Sequence, residues 1–381
     1  MQDALIEISA GRRRIDPRAP LVAVLVLVAG AVLGAILYQF EQARATWRPK
    51  VTRTPTGWTV RDASGRGPSA LALAGDHIVW DSQGNVITMD LGSGKTKLLG
   101  VGENEQSMWP PSVSDRYAVW VTATSDGDAQ VLSVYAYDFA SRRRVRLTGL
   151  EGAWGWGAPA MSATTMVWAP YVGGSSAVAE IRGEDLSTGR QFVVASTRTT
   201  AHGAVGVGAP VIAGDLVAWS QGRPHPHSYL AIVVRDLSTQ QTWTITPFKA
   251  ASNMHLASQA LSGRTLVWSQ YATKHVNGVD VGARNTIVAQ NLDSGARRVI
   301  ASGRGLGMPA IDGDLVVWTK QVGSRPTTLV VGLRLSGDRP FVIATNDQGL
   351  VDPVLVSGDT VAMLLTDNDN TSWIETVRVP Q

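Results

Sequence analysis

The 381-residue chain contains no cysteine. Disulfide scaffolds, thiolate metal sites, cysteine nucleophiles and cysteine-linked lipid anchors are excluded at once. Charge is scarce as well, at 17% of residues, and nearly balanced between 34 Lys+Arg and 31 Asp+Glu. Eight of the basic side chains (Arg12, Arg13, Arg14, Arg18, Arg44, Arg48, Lys50, Arg53) fall within the first 53 residues against four acidic ones, which leaves the rest of the chain at a net charge of −1. A body that is neutral overall lacks the concentrated basic surface that displaces counterions, so nucleic acid is not an expected partner. No Gly-x-Ser-x-Gly elbow, His-Glu-x-x-His, phosphate loop or dinucleotide fingerprint is present, and no cofactor is expected. What the chain does have is apolar material, 44% of residues, enough for a sizeable core.

One stretch of that material is continuous. Leu21–Tyr38 is eighteen residues without a charge, which as a helix spans about 27 Å and matches a bilayer core. The organisation expected is a cytoplasmic tail at 1–19, a transmembrane signal-anchor helix at 20–40, a linker at 41–56 and an extracytoplasmic ectodomain at 57–381. The competing reading is a signal peptide cleaved after Ala45, at the Ala43-Arg44-Ala45 site. Basic residues flank the run on both sides, so orientation rests on the short tail and long folded body rather than on the charge rule.

The body repeats one unit. A turn followed by an apolar strand occurs as Gly75–Trp80, Ser114–Trp120, Ala163–Trp168, Gly214–Trp219, Gly263–Trp268, Gly313–Trp318 and Gly358–Met363, at intervals of 40, 48, 51, 49, 50 and 45 residues. That period suits a four-stranded propeller blade. A short strand, often led by proline (Pro159, Pro210, Pro309, Pro353), precedes each turn. A second polar turn, as in Asp185-Leu186-Ser187-Thr188-Gly189, joins the third strand to the fourth. The seventh copy ends one strand short, and Gly57–Arg61 is the strand left over to complete it. The fold class is therefore all-β, a seven-bladed β-propeller, six or eight blades being the neighbouring counts, closed by strand 57–61 and preceded by one transmembrane helix.

The Gly-Asp-x-Val-x-Trp strand and the Asp-Leu-Ser-Thr-Gly turn resemble the TolB-like or surface-layer-type β-propeller repeat, over residues 57–381. The resemblance implies a secreted or surface-attached propeller that binds other proteins or envelope components. The Ser-Pro-Asp-Gly turn typical of TolB and the Asn-Gly-Asn loop common in surface-layer repeats are both absent, so TolB's own partners are not carried over.

Both tight turns of each blade fall at one end of the ring. Longer connections are expected at the other end, among them 122–130, 270–286, 301–307 and 344–351, and binding sites favour such loops. Because strand 57–61 starts at the tight-turn end, the linker is expected to attach there and the long-loop face to point away from the membrane. On that face the candidate ligand-binding residues are Trp109, Trp154, Trp156, His202, His225, His227, His255 and His275. Trp154-Gly155-Trp156 offers flat amphipathic rings for a sugar or a protein hot spot, with inward folding to plug the ring as the alternative. His225-Pro226-His227 lacks supporting ligand spacing, and Asp126-Gly127-Asp128 and Asp367-Asn368-Asp369-Asn370 fail the calcium-loop pattern, so no metal is expected. No catalytic residues are assigned. The function expected is a membrane-anchored binding or scaffolding module for an envelope protein or cell-wall glycan. The alternative is a propeller hydrolase or lyase acting on envelope carbohydrate.

Overall fold

The computed structural model describes residues 49–62, 67–100, 105–107, 109–126, 129–147, 158–170, 179–197, 207–222, 230–245, 254–276, 279–323 and 327–380. Among them there is no helix long and apolar enough to cross a membrane; the run at 20–40 lies outside the described residues. Seven antiparallel sheets form the fold, with residues 49–381 as one compact unit.

Six of the sheets are consecutive in sequence, from blade 1 (inner strand Ala70–Ala74) to blade 6 (inner strand Ala310–Asp312). Blade 7 takes its three inner strands, Gly349–Ser357, Thr360–Asp367 and Ser372–Arg378, from the C-terminus and its outer strands from the N-terminus. Gly57–Arg61 pairs with Ser372–Arg378, Val60 lying opposite Ile374. Joining N-terminal and C-terminal strands in one sheet closes the ring.

Each repeat tryptophan sits on the second strand of its blade. Trp80, Trp120, Trp168, Trp219, Trp268 and Trp318 are at most 2% exposed, and Met363 replaces the seventh at 0%. The ring packs against the preceding blade: Trp268 of blade 5 joins Leu216, Ile232 and Val234 of blade 4, and Trp318 of blade 6 joins Val267 and Ile287 of blade 5. Burial on both faces explains why this strand reads as a continuous apolar run.

At the tight-turn end a side chain ties neighbouring blades in the same way at five of the seven seams. The residue just before the first turn reaches the next blade's turn: Ser162 Oγ accepts from Gly214 N–H at 2.9 Å, Ser262 Oγ from Gly313 N–H at 2.9 Å, Asp312 Oδ2 from Gly358 N–H at 2.7 Å, and Ser357 Oγ from Gly75 N–H at 2.8 Å. Ser114 Oγ donates to Ala163 O at 2.6 Å. These turns need a left-handed residue, with φ of 51° at Gly263 and 56° at Gly313, which glycine adopts without steric cost. The third-to-fourth turns are built alike. Asp236 Oδ1 accepts from Ser238 N–H, Ser238 Oγ–H and Thr239 N–H at 2.9, 2.6 and 3.1 Å.

Two expectations need correction. Residues 50–53, read as linker, form a further strand antiparallel to Gly57–Arg61, with Lys50 opposite Arg61 and Arg53 opposite Trp58. The alternation of Val51 with polar neighbours lets this segment cover the outer edge, and Arg53 lies over the Trp58 ring at 5.5 Å. Because this strand runs back toward the tight turns, the chain joins the propeller at the loop end, which removes the premise for turning that end away from a membrane. Some connections expected as long loops are strand instead: Tyr117–Asp126 pairs with Ala129–Asp138, and Thr265–Val276 with Val279–Asn291. Only two residues separate Phe341–Asn346 from Gly349–Ser357. Beyond the core these strands satisfy their backbone groups by pairing with each other.

Candidate functional site: a cavity at the loop end of blades 5 to 7

The loop end of blades 5–7 holds a cavity of about 310 Å³. Its geometry follows from how the innermost strand of each blade begins. In blade 6, Gly305-Leu306-Gly307 lies flat along the second strand: Gly307 N–H donates to Thr319 O and Gln321 N–H to Gly305 O, both at 2.8 Å. A side chain at Gly307 would overlap Thr319 Oγ1, so only glycine permits this approach. Asn285 Nδ2 then pins the segment through Leu306 O at 2.9 Å. Leu306, 7% exposed, anchors it in the core of blades 5 and 6.

The walls mix polar side chains with the apolar Ala257, Leu306 and Val351. Ser269, Asn285, Thr319, Gln321 and Thr328 line the cavity together with Asp352, while Met308 and Leu350 stand at its mouth, 56% and 49% exposed. Thr328 Oγ donates to Gly349 O at 3.0 Å, tying blade 6 to the start of blade 7. Among the described residues that line it, Asp352 is the one ionisable side chain. Desolvation raises its pKa above the ordinary aspartate value, although the residue is exposed by surface area. The arrangement offers hydroxyl, amide and carboxyl groups to a polar ligand and two apolar side chains to its flank. A small set of placed polar groups beside apolar contacts is the usual form of a recognition pocket.

Two sequence candidates can be placed beside or beyond this cavity. His255 is not in a loop but on the inner strand Met254–Ser262, two residues before the lining residue Ala257. It stacks on Tyr271 at 5.0 Å with an interplanar angle of 18°. His275 is likewise on a strand, further out on Thr265–Val276, in register with Asp280. Trp109 lies elsewhere, half-buried against the core of blades 2 and 3 beside Val119, Met166 and Trp168. Trp154, Trp156, His202, His225 and His227 lie outside the described residues. Among the described residues no three His, Asp or Glu side chains gather as metal ligands would.

No protein-family model matches the chain, and no curated protein does either. Its fold does have solved counterparts. The structure is similar to oligogalacturonate lyase solved in complex with manganese, at 12% identity over 88% of this chain and 96% of that one, TM-score 0.58. It is similar to the β-propeller domain of the Trilobed protease from Pyrococcus furiosus, at 11% identity over 81% of this chain and 94% of that one, TM-score 0.57. This chain is a seven-bladed β-propeller. TolB from Acinetobacter baumannii also matches, at 15% identity over 79% of each chain with a TM-score of 0.44. The propeller fold implied by the TolB-like repeat is the fold seen in the seven sheets and in the first two of these counterparts, and identities this low speak to fold alone.

Proposed function

We propose that the protein is a membrane-anchored, extracytoplasmic binding module whose propeller recognises an envelope protein or cell-wall glycan at the loop end of blades 5–7. The observation that carries this reading is the cavity itself: a rigid floor of paired backbone, placed hydroxyl and amide groups, and the exposed lip of Met308 and Leu350. The His255–Tyr271 stack adds a flat amphipathic face on the blade 5 side. Anchoring through residues 20–40 and placement in the envelope rest on the eighteen-residue uncharged run.

A second reading is a hydrolase or lyase acting on envelope carbohydrate. Asp352 favours it, since a carboxyl that lines a cavity and has its pKa raised by desolvation is the kind of group that serves in proton transfer. The two readings separate through Asp352→Asn: an enzyme loses turnover of envelope glycan, whereas a binding module keeps most of its affinity.

The experiment exposes detergent-solubilised full chain to insoluble cell-wall glycan and, separately, to envelope membrane proteins. Wild type is expected to be retained by one fraction, and the Met308→Asp/Leu350→Asp variant to lose at least tenfold of that affinity. Equal retention of both forms would place recognition away from this cavity.

A further inference from the structure

A second cavity, of about 350 Å³, lies at the tight-turn end between blades 7 and 1. Strand register sets one wall. Arg53 stands opposite Trp58, Trp58 opposite Thr376, and Arg378 opposite Thr360. Directly opposed residues share a face, as do residues two apart on one strand. Arg53, Trp58, Thr376 and Arg378 therefore stand together on the face of blade 7 that meets blade 1. Trp58 Nε1 fixes that face by donating to Leu91 O of blade 1 at 2.7 Å, and a side chain at Gly94 would overlap the Trp58 ring. Asp76 of blade 1 lines the cavity from the other side.

The blade 7 wall is rich in donors. Thr54 Oγ accepts from Gly57 N–H at 3.0 Å and Thr376 Oγ from Trp58 N–H at 2.8 Å. Each hydroxyl has used a lone pair and kept its hydrogen, which no acceptor takes among the described residues. Thr376 is only 3% exposed, and a hydrogen left unbonded at that depth is costly unless a ligand accepts it. Arg53 rests on Trp58, and among the described residues neither Arg53 nor Arg378 has a carboxylate within salt-bridge distance. Asp359, next to Thr360, is held by Arg334 at 2.9 Å. Two guanidiniums thus face one lining carboxylate, Asp76.

Such donors suit an oxyanion, whose oxygens guanidinium forks match bidentately. Asp76 decides which oxyanion. Sulfate, a phosphodiester and a carboxylate carry no acidic hydrogen near neutral pH, so Asp76 repels them. A phosphate that keeps one P–OH can donate that hydrogen to Asp76 while its other oxygens meet the arginines and threonines. We propose that this cavity binds a hydrogen-bearing phosphate, free or as a monoester, between Arg53, Arg378, Thr54 and Thr376 on one side and Asp76 on the other. A monoester keeps that hydrogen up to its second pKa, about 6. The site is separate from the loop-end cavity and does not rest on the function proposed for it.

The test titrates the full chain at about pH 6 with inorganic phosphate, glycerol phosphate, sulfate, dimethyl phosphate and acetate, followed by calorimetry. Wild type is expected to bind one of the first two about tenfold more tightly than the other three, and the tighter of the two identifies the ligand as free phosphate or a monoester. Arg378→Gln should weaken phosphate by about tenfold, whereas Arg190→Gln, an equal loss of charge on blade 3, should leave it unchanged. Asp76→Asn should bring sulfate to parity with phosphate, since an amide can donate to either. Failure of wild type to bind either phosphate overturns the proposal, as does sulfate, diester or acetate binding of equal strength. Phosphate binding that Arg378→Gln leaves unchanged, or a preference over sulfate that survives in Asp76→Asn, overturns it too. Should a variant not fold, the order of the five anions on wild type decides alone.

Discussion

The two ends of the propeller are made by opposite rules. At the tight-turn end the same parts recur around the ring: a glycine near φ 55°, a serine or aspartate reaching the next blade, and an aspartate folded over its own turn. At the loop end the blades diverge. The second and third strands run to 12 and 13 residues in blade 5 but to 6 and 6 in blade 1. Uniform geometry at one end holds seven blades in register, and that leaves the other end free to vary without loss of the ring. The cavity of blades 5–7 lies on the free side.

The largest effect should come from the floor that both ends share. Trp268→Ala empties a site that is 0% exposed and should cost about 3–5 kcal/mol, read by denaturant unfolding; loss of binding there would follow from loss of fold. A smaller effect, confined to the tight-turn end, is expected for Ser262→Ala. It removes the bonds to Gly313 N–H and Asp312 and should cost about 1 kcal/mol while ligand retention stays at the wild-type level.

Acid–base behaviour sharpens the contrast. Asp185 and Asp236, bonded to Ser187 and Ser238, have pKa values below the ordinary aspartate value. The stability they supply is present above that ordinary value and is lost as pH falls through their folded-state pKa. Buried Glu184 is raised by desolvation, so the native state binds its proton more tightly and stability falls as pH rises from the ordinary glutamate value. Glu184→Gln should therefore be more stable than wild type at pH 7 and match it in acid, in melts run across pH. The smallest effect on stability belongs to Leu350→Asp at the exposed lip, within about 0.5 kcal/mol, although binding should drop sharply.

The regular end was legible in the sequence and the variable end was not. Gly313-Asp314 and Asp185-Leu186-Ser187-Thr188-Gly189 announce their turns because the turn chemistry is local, and the Val-x-Trp strand announces its burial. The seam bonds were hidden, because Ser262 and Gly313 meet only once two blades have stacked. Asp352, Asn285 and Met308 went unnoticed for the same reason: three blades bring them to one cavity. One signal was there to use. Asn277-Gly278 between Thr-Lys-His-Val and Val-Asp-Val is a hairpin sequence, and it places His275 on a strand. The Gly305-Leu306-Gly307 spacing was the other, since two glycines around one leucine suit close backbone contact.

The absence of native cysteine makes the central claim directly measurable. Leu350→Cys at the cavity lip and Thr188→Cys at a third-to-fourth turn each introduce a single thiol, and each full-length variant can carry a photo-crosslinker in native membranes. If recognition belongs to the loop end, the Leu350 position yields a discrete adduct with an envelope protein or glycan and the Thr188 position yields none. Adducts from Thr188 alone, or the same adducts from both positions, would contradict the division of labour between the two ends.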